Sequence, residues 1–220
     1  MTSVKKSNLK LILTLMTVIT VVVVIGLFFN IHKAHQTEQL AHQIKIDGTI
    51  LSKSRRIHPF QLTDETGKSF SNTNLKGHWT LMFFGFTNCG YVCPTTLSAL
   101  GKMYTNLSAH LPPALLPQVV MVSVDPERDS VQRLKAYVKT FNPAFHGARG
   151  NLEAVKSLSD QMSVIFAKVT LPNGNYSVTH SAEIMLLDPS GNLRAFLSYP
   201  HHADQMTRDY ESVTRAYNTK

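Results

Sequence analysis

Cys89 and Cys93 are the only cysteines of the 220-residue chain, and they stand in the stretch FFGFTNCGYVCP over residues 83–94. Their separation of four is one residue wider than in a C-x-x-C redox motif. Sulfurs that converge can close a disulfide or chelate a soft metal such as Cu(I) or Zn(II). The alternative is a structural disulfide, or two buried residues behaving as small hydrophobes. Residues 79–86 are apolar and aromatic without a charge, which suits a strand buried on both faces. Pro94 suits the first turn of a helix, and Leu97, Leu100, Tyr104 and Leu107 follow at helical spacing. The pair is therefore expected on a strand-to-helix turn, where the positive helix end favours thiolate. If the helix winds early, residues four apart lie on one face. Such an exposed turn favours a reactive pair over an inert one.

The elements that must position this turn read as follows. Residues 60–75 hold an Asp64-Glu65-Thr66-Gly67 turn between Phe60/Leu62 and Phe70, an opening hairpin. The helix after Pro94 ends before Pro112 and Pro113. Residues 119–124 are a second buried strand, and Asp125 is expected to cap the helix marked by Val131, Leu134, Val138 and Phe141, with orienting a site residue as the alternative. A short segment over 145–149 precedes a helix from Asn151, with Leu152, Val155, Leu158 and Met162 as its stripe. A strand over 164–171, a turn at 172–175 and residues 176–179 lead to His180. Strands over 183–187 and 193–199 flank a turn at 188–192, and Met206, Tyr210, Val213 and Tyr217 mark a closing helix. This order predicts an α/β fold with a thioredoxin-like mixed sheet flanked by helices.

Composition narrows the setting. The apolar share of 43% supplies one sizeable core, and the formal charge is +8. Setting aside Lys5, Lys6, Lys10, Lys33 and Glu38 leaves 18 basic and 13 acidic residues, hence +5 with no basic run and no nucleic-acid footprint. Residues 11–29 carry no charge and are long enough to cross a bilayer, with lysines before them that keep the amino end in the cytoplasm. Phe29-Asn30-Ile31-His32 lacks a small-x-small cleavage pattern, so a retained transmembrane helix is expected. The expected organisation is a cytoplasmic end (1–10), an anchor (11–29), a linker (30–48) and an exported domain (49–220). It places a single-pass protein in a bacterial inner membrane with its C-terminal domain in the periplasm, where free thiols need a reductant or a metal. His32, His35 and His42 read as solvated linker residues.

With the cysteines, Val124-Asp125-Pro126-Glu127-Arg128-Asp129 and Val178-Thr179-His180-Ser181 placed, the chain resembles the Sco/SenC family over residues 57–217. The resemblance implies a membrane-anchored copper metallochaperone that helps assemble the dinuclear copper centre of cytochrome c oxidase. It implies Cys89, Cys93 and His180 as the ligands of Cu(I) or Cu(II). It also implies the copper-bearing oxidase subunit, other copper chaperones and thiol reductases as partners. In thioredoxin-like folds the loop before the strand over 183–187 faces the cysteine turn, which is where His180 falls. Gly90 and Tyr91 stand where the family often has Pro-Asp, and Thr179 where it often has Asp. Losing two carboxylates should raise thiol acidity and disfavour extra positive charge at the site.

Other readings compete. In a thiol–disulfide oxidoreductase, Cys89 would attack and Cys93 would resolve, keeping the oxidase cysteines reduced. A thiol peroxidase would use Thr87 beside Cys89, but no arginine is assignable to the site from sequence. His201 and His202 read as a loop leading into the last helix, not as extra ligands. His58 and His78 read as surface residues, and Tyr91 as a shield or docking residue. Met82, Met103, Met121, Met162 and Met185 read as core filler.

Overall fold

The structure, a computed structural model, describes residues 15–32, 46–172 and 174–218. Contacts divide the chain into Met1–Ile44 and Lys45–Lys220. In the first unit, helix α1 (Leu15–His32) is long and apolar enough to cross a membrane, and its side chains are exposed throughout. Within this helix the His32 ring stacks 5.9 Å from that of Phe28. Lys5, Lys6, Lys10 and Lys33, the start of the expected anchor, linker residues His35 and His42, and Asn173 of the expected 172–175 turn lie outside the described residues.

In the second unit, the charge-free runs become the centre of an eight-stranded sheet. Its strands are β1 (Gly48–Arg55), β2 (Gln61–Asp64), β3 (Ser69–Ser71), β4 (Thr80–Gly85), β5 (Gln118–Ser123) and β6 (His146–Arg149). They are joined by β9 (Ile184–Leu187) and β10 (Leu193–Leu197), in the order β1-β10-β9-β4-β5-β6-β2-β3. β4, β5 and β6 run parallel, and every other pairing is antiparallel. All residues of β4 and β9 are buried, so both faces of the sheet are covered. Parallel neighbours need crossovers, and α2 (Val92–Ser108) and α3 (Val131–Phe141) supply them. α2 packs beside α3 and the closing helix α5 (Ala203–Asn218), which is pinned where Trp79 meets Tyr210 and Tyr217 edge-on at 6.4 and 5.1 Å. α4 (Leu152–Gln161) follows β6 and touches β2.

Three expectations change. β1 was not anticipated: its sequence GTILSKSR carries few apolar residues, because it is an edge strand bonded only to β10. The strand expected over 164–171 forms as β7 (Phe166–Thr170), and the residues leading to His180 form a further strand, β8 (Tyr176–His180), but the two pair only with each other. Asp125 does not cap α3. The chain makes an extra turn, with the Asp129 N–H donating to the Asp125 carbonyl at 3.0 Å. Ser130 is the cap, its Oγ accepting from the Arg133 N–H at 3.2 Å.

Candidate metal centre

The central parallel strand β4 delivers the cysteine turn at its carboxyl end, between β5 on one side and antiparallel β9 on the other. In open α/β sheets this is where ligand sites form. Gly85 ends the strand because nothing larger fits: a Cβ there would lie 2.9 Å from both Cys93 Sγ and a ring carbon of Phe83. Beyond it, the buried Asp129 carboxylate accepts from the Thr87 N–H at 3.1 Å, the Thr87 hydroxyl at 2.6 Å and the Ser123 hydroxyl at 2.6 Å. Arg133 adds a bond from Nε to Thr87 Oγ1 at 2.8 Å and another from Nη2 to Asn88 Oδ1. The Cys89 N–H donates to the Phe86 carbonyl at 3.2 Å and closes the turn.

α2 starts two residues before Pro94, so it takes Cys93 into its first turn. Its N-cap residue, Tyr91, offers no capping side chain. The Cys93 N–H donates to Cys89 Sγ instead, at 3.3 Å, so a sulfur takes the place of a capping oxygen. Cys93 is fully buried and Cys89 half-buried, and the two are free thiols here.

His180 comes from a different element, the end of β8. A carbonyl can only accept, so the 2.8 Å contact between His180 Nδ1 and the Ser181 carbonyl fixes the proton on Nδ1. Nε2 faces Cys93 Sγ at 3.4 Å. The donor atoms of Cys89, Cys93 and His180 all lie within 4.8 Å of one another, the one such cluster among the described residues.

The loop behind the imidazole is tied on two sides. The Ser181 N–H donates to the Ile165 carbonyl at 2.9 Å, and His201 Nε2 donates to the Ala182 carbonyl at 2.8 Å. The hairpin itself is latched to the Asp-Pro-Glu-Arg-Asp loop. The Tyr176 hydroxyl donates to Asp125 Oδ1 at 2.8 Å, and Arg128 pairs with Asp125 while its Nη1 donates to the Tyr176 carbonyl at 3.2 Å. Arg128 and Lys168 also approach the Tyr176 ring, at 4.0 and 3.8 Å from its centroid. Phe86 lies 5.8 Å from the Arg128 guanidinium and meets the His180 ring edge-on at 5.9 Å.

Electrostatics divide the two sulfurs. A hydrogen bond from Cys93, reinforced by His180 and by the first N–H groups of α2, holds the Cys89 thiol down to about 3 against the cost of partial burial. Cys93 moves the other way, because it donates to Cys89 and is buried. The setting therefore favours the thiolate on Cys89 over Cys93. Two sulfurs and one imidazole nitrogen make a soft donor set that suits Cu(I).

Among the remaining expected residues, His201 is buried in the loop before α5, and burial lowers its pKa. Neither His201 nor His202 joins the donor cluster. His58 is exposed, but His78 is not a surface residue. It is half-buried, with Nε2 2.9 Å from Gln118 Oε1 at the start of β5. Tyr91 is 68% exposed, and the five methionines named above are buried in the core. No arginine bonds to either sulfur among the described residues, and Arg133 spends its donors on Thr87 and Asn88. Asp129, Arg128, Tyr176 and Arg133 were missed as positioning residues. The Asp-Pro-Glu-Arg-Asp run was visible, but the packing of its loop against the turn and the hairpin was not.

A family model described as SCO1/SenC matches residues 49–215. A Stutzerimonas stutzeri protein whose name describes it as copper-binding is 37% identical over 159 residues, covering 72% of this chain and 77% of that one. The mitochondrial SCO1 homolog 1 of Arabidopsis thaliana is 35% identical over 159 residues, and the match spans 72% of this chain but 47% of that protein. The crystal structure of Arabidopsis thaliana ScoI with copper bound superposes with a TM-score of 0.66 at 32% identity, over 74% of this chain and 98% of that one. With fold, donor cluster and sequence in agreement over most of its length, this chain belongs to the SCO1/SenC family.

Proposed function

We propose that this protein is a membrane-anchored copper metallochaperone. Cys89, Cys93 and His180 bind copper and pass it to the dinuclear copper centre of cytochrome c oxidase. The observation that carries this reading is the convergence of three soft or borderline donors from two separate elements within 4.8 Å. The copper bound in the solved Arabidopsis ScoI supports it. The chain's own part in transfer follows from burial. Cys93 holds the ion from inside, while Cys89 and His180 stand at the surface, where an incoming thiolate of the recipient can displace them one at a time. We read α1 as a single anchor in a bacterial inner membrane. The organisation 1–10, 11–29, 30–48 and 49–220 then places the copper domain in the periplasm.

Anaerobic Cu(I) titration of the full chain, with X-ray absorption on the loaded protein, tests the assignment. One ion per chain is expected, on two sulfurs and one nitrogen. Cys89→Ala, Cys93→Ala and His180→Ala should each lose tight binding. A Cys89→Ala protein that holds one copper as tightly as the wild type would refute it.

A second reading is favoured by the division of the sulfurs, since Cys89 is half-exposed and acidic while Cys93 is buried behind it. The Cys89 thiolate attacks a disulfide in the target and releases one target thiolate. Cys93, deprotonated as it reacts, then attacks Cys89 Sγ of the mixed disulfide and releases the second. The protein ends with a Cys89–Cys93 disulfide, and two electrons have passed to the target. A Cys93→Ser variant should trap the mixed disulfide if this reaction runs.

A further inference from the structure

Beside the β7–β8 hairpin, with neither cysteine nor His180 in its wall, lies a cavity of about 740 Å³, a volume typical of small-molecule sites. Its walls come from the Asp-Pro-Glu segment after β5, the end of β6, the start of α4 and the hairpin. Val124, Pro126, Val164, Phe166 and Val178 give it an apolar interior, and the exposed side chains of Leu152 and Ile165 stand among its walls. Neither reading of the sulfur site uses this space.

The wall carries three acids and three cations, but with Arg128 paired to Asp125 from outside the wall, one lining cation is left over. Three acids line it, Asp125, Glu127 and Asp160, and each already has a cation: Arg128, Lys168 and Lys156 respectively. Arg149 also lines the cavity and has no carboxylate within ion-pair distance among the described residues. Its Nη2 donates to the Pro126 carbonyl at 2.7 Å, while its Nε is buried without an acceptor. A guanidinium presents a fixed fork of donors matched to planar anions, and its positive charge, without a carboxylate partner among the described residues, lies in the cavity wall. A second feature points the same way. The cavity includes Asn151 and Leu152 at the amino end of α4, where a ten-residue helix presents its positive terminus.

We propose that this cavity binds a small organic anion, a carboxylate on an apolar body of one or two rings, with Arg149 as the anchoring residue. The carboxylate meets the guanidinium, and the rings lie against the valines and Phe166. The site is separate from the donor cluster. It shares the hairpin with it, because Tyr176 and Val178 line the cavity and His180 ends the same strand.

Isothermal titration of the full chain in nonionic detergent micelles tests this, with 2-naphthoate as the probe and blank micelles subtracted. Saturable one-to-one binding is expected, weakened about tenfold or more in Arg149→Gln and partly restored in Arg149→Lys. Leu152→Glu leaves the packing of Arg149 untouched and sets a negative charge at the helix end, so it should also weaken binding. The neutral isostere 2-naphthamide should bind at least tenfold more weakly. Absence of saturable naphthoate binding to the wild type, equal binding of the amide, or unchanged affinity in both Arg149→Gln and Leu152→Glu would overturn the proposal.

Discussion

Cys89 and Cys93 are alike in chemistry and unlike in setting, and the difference is measurable in the reduced, metal-free protein. Iodoacetamide reacts with thiolate, so it should modify Cys89 and spare Cys93. The Cys89 thiol is held down to about 3 from an ordinary value of 9.0, so its thiolate persists as pH falls and is lost only near pH 3. The alkylation rate should stay flat from pH 8 to about 4, where a free thiol would slow by orders of magnitude. Cys93→Ala removes the largest stabilising hydrogen bond and should move the transition upward. At this scale the sequence announces the donor cluster, because cysteine and histidine advertise their chemistry by type. It hides the residues that aim them. Asp129 bonds to Thr87 only once the loop after β5 has folded against the turn, and Asp125 passes for a helix cap until the extra turn before Ser130 is seen.

The elements show the same division between what is written locally and what packing decides. β4, β5 and β9 are legible as runs without charge, since their burial on both faces demands it. β1 is polar because one edge is open, and nothing in 164–180 reveals that β7 and β8 stand apart from the large sheet. The latch across that gap predicts a distant effect on the metal. Tyr176→Phe deletes the bond to Asp125 and should weaken Cu(I) retention about fivefold in competition with a chelator, with the ligand set unchanged in X-ray absorption. A second tie serves stability alone. Glu65, buried at the turn after β2, accepts from His146 Nδ1 at 2.9 Å and from the Gly147 N–H at 3.2 Å on β6. Burial alone would raise its pKa, but these bonds hold it down to about 2 from 4.5. Its folded pKa is depressed, so its contribution is present above pH 4.5 and is lost as pH falls towards 2. Glu65→Gln should cost about 1–3 kcal/mol at pH 7 and flatten the dependence of Tm on pH across that window.

For the whole molecule, α1 makes the sharpest physical claim, because exposed valine, leucine and isoleucine along its length have no place in water. The full chain should sediment with membranes and resist carbonate extraction. A variant with Val21, Val22, Val23 and Val24 changed to Ser, Lys, Ser and Lys should move to the soluble fraction. The surplus of basic residues is spread through the chain, so low salt should not recruit nucleic acid.

Because β7 and β8 pair, strand to strand, only with each other, their amides can open to solvent without disturbing the eight-stranded sheet. An ion shared between the cysteine turn and the end of β8 would act as a rivet across that gap. Deuterium would then enter the hairpin more slowly in the loaded protein, while β4 and β9 kept their rates. Occupancy becomes legible in the backbone, at strands that hold no sulfur at all.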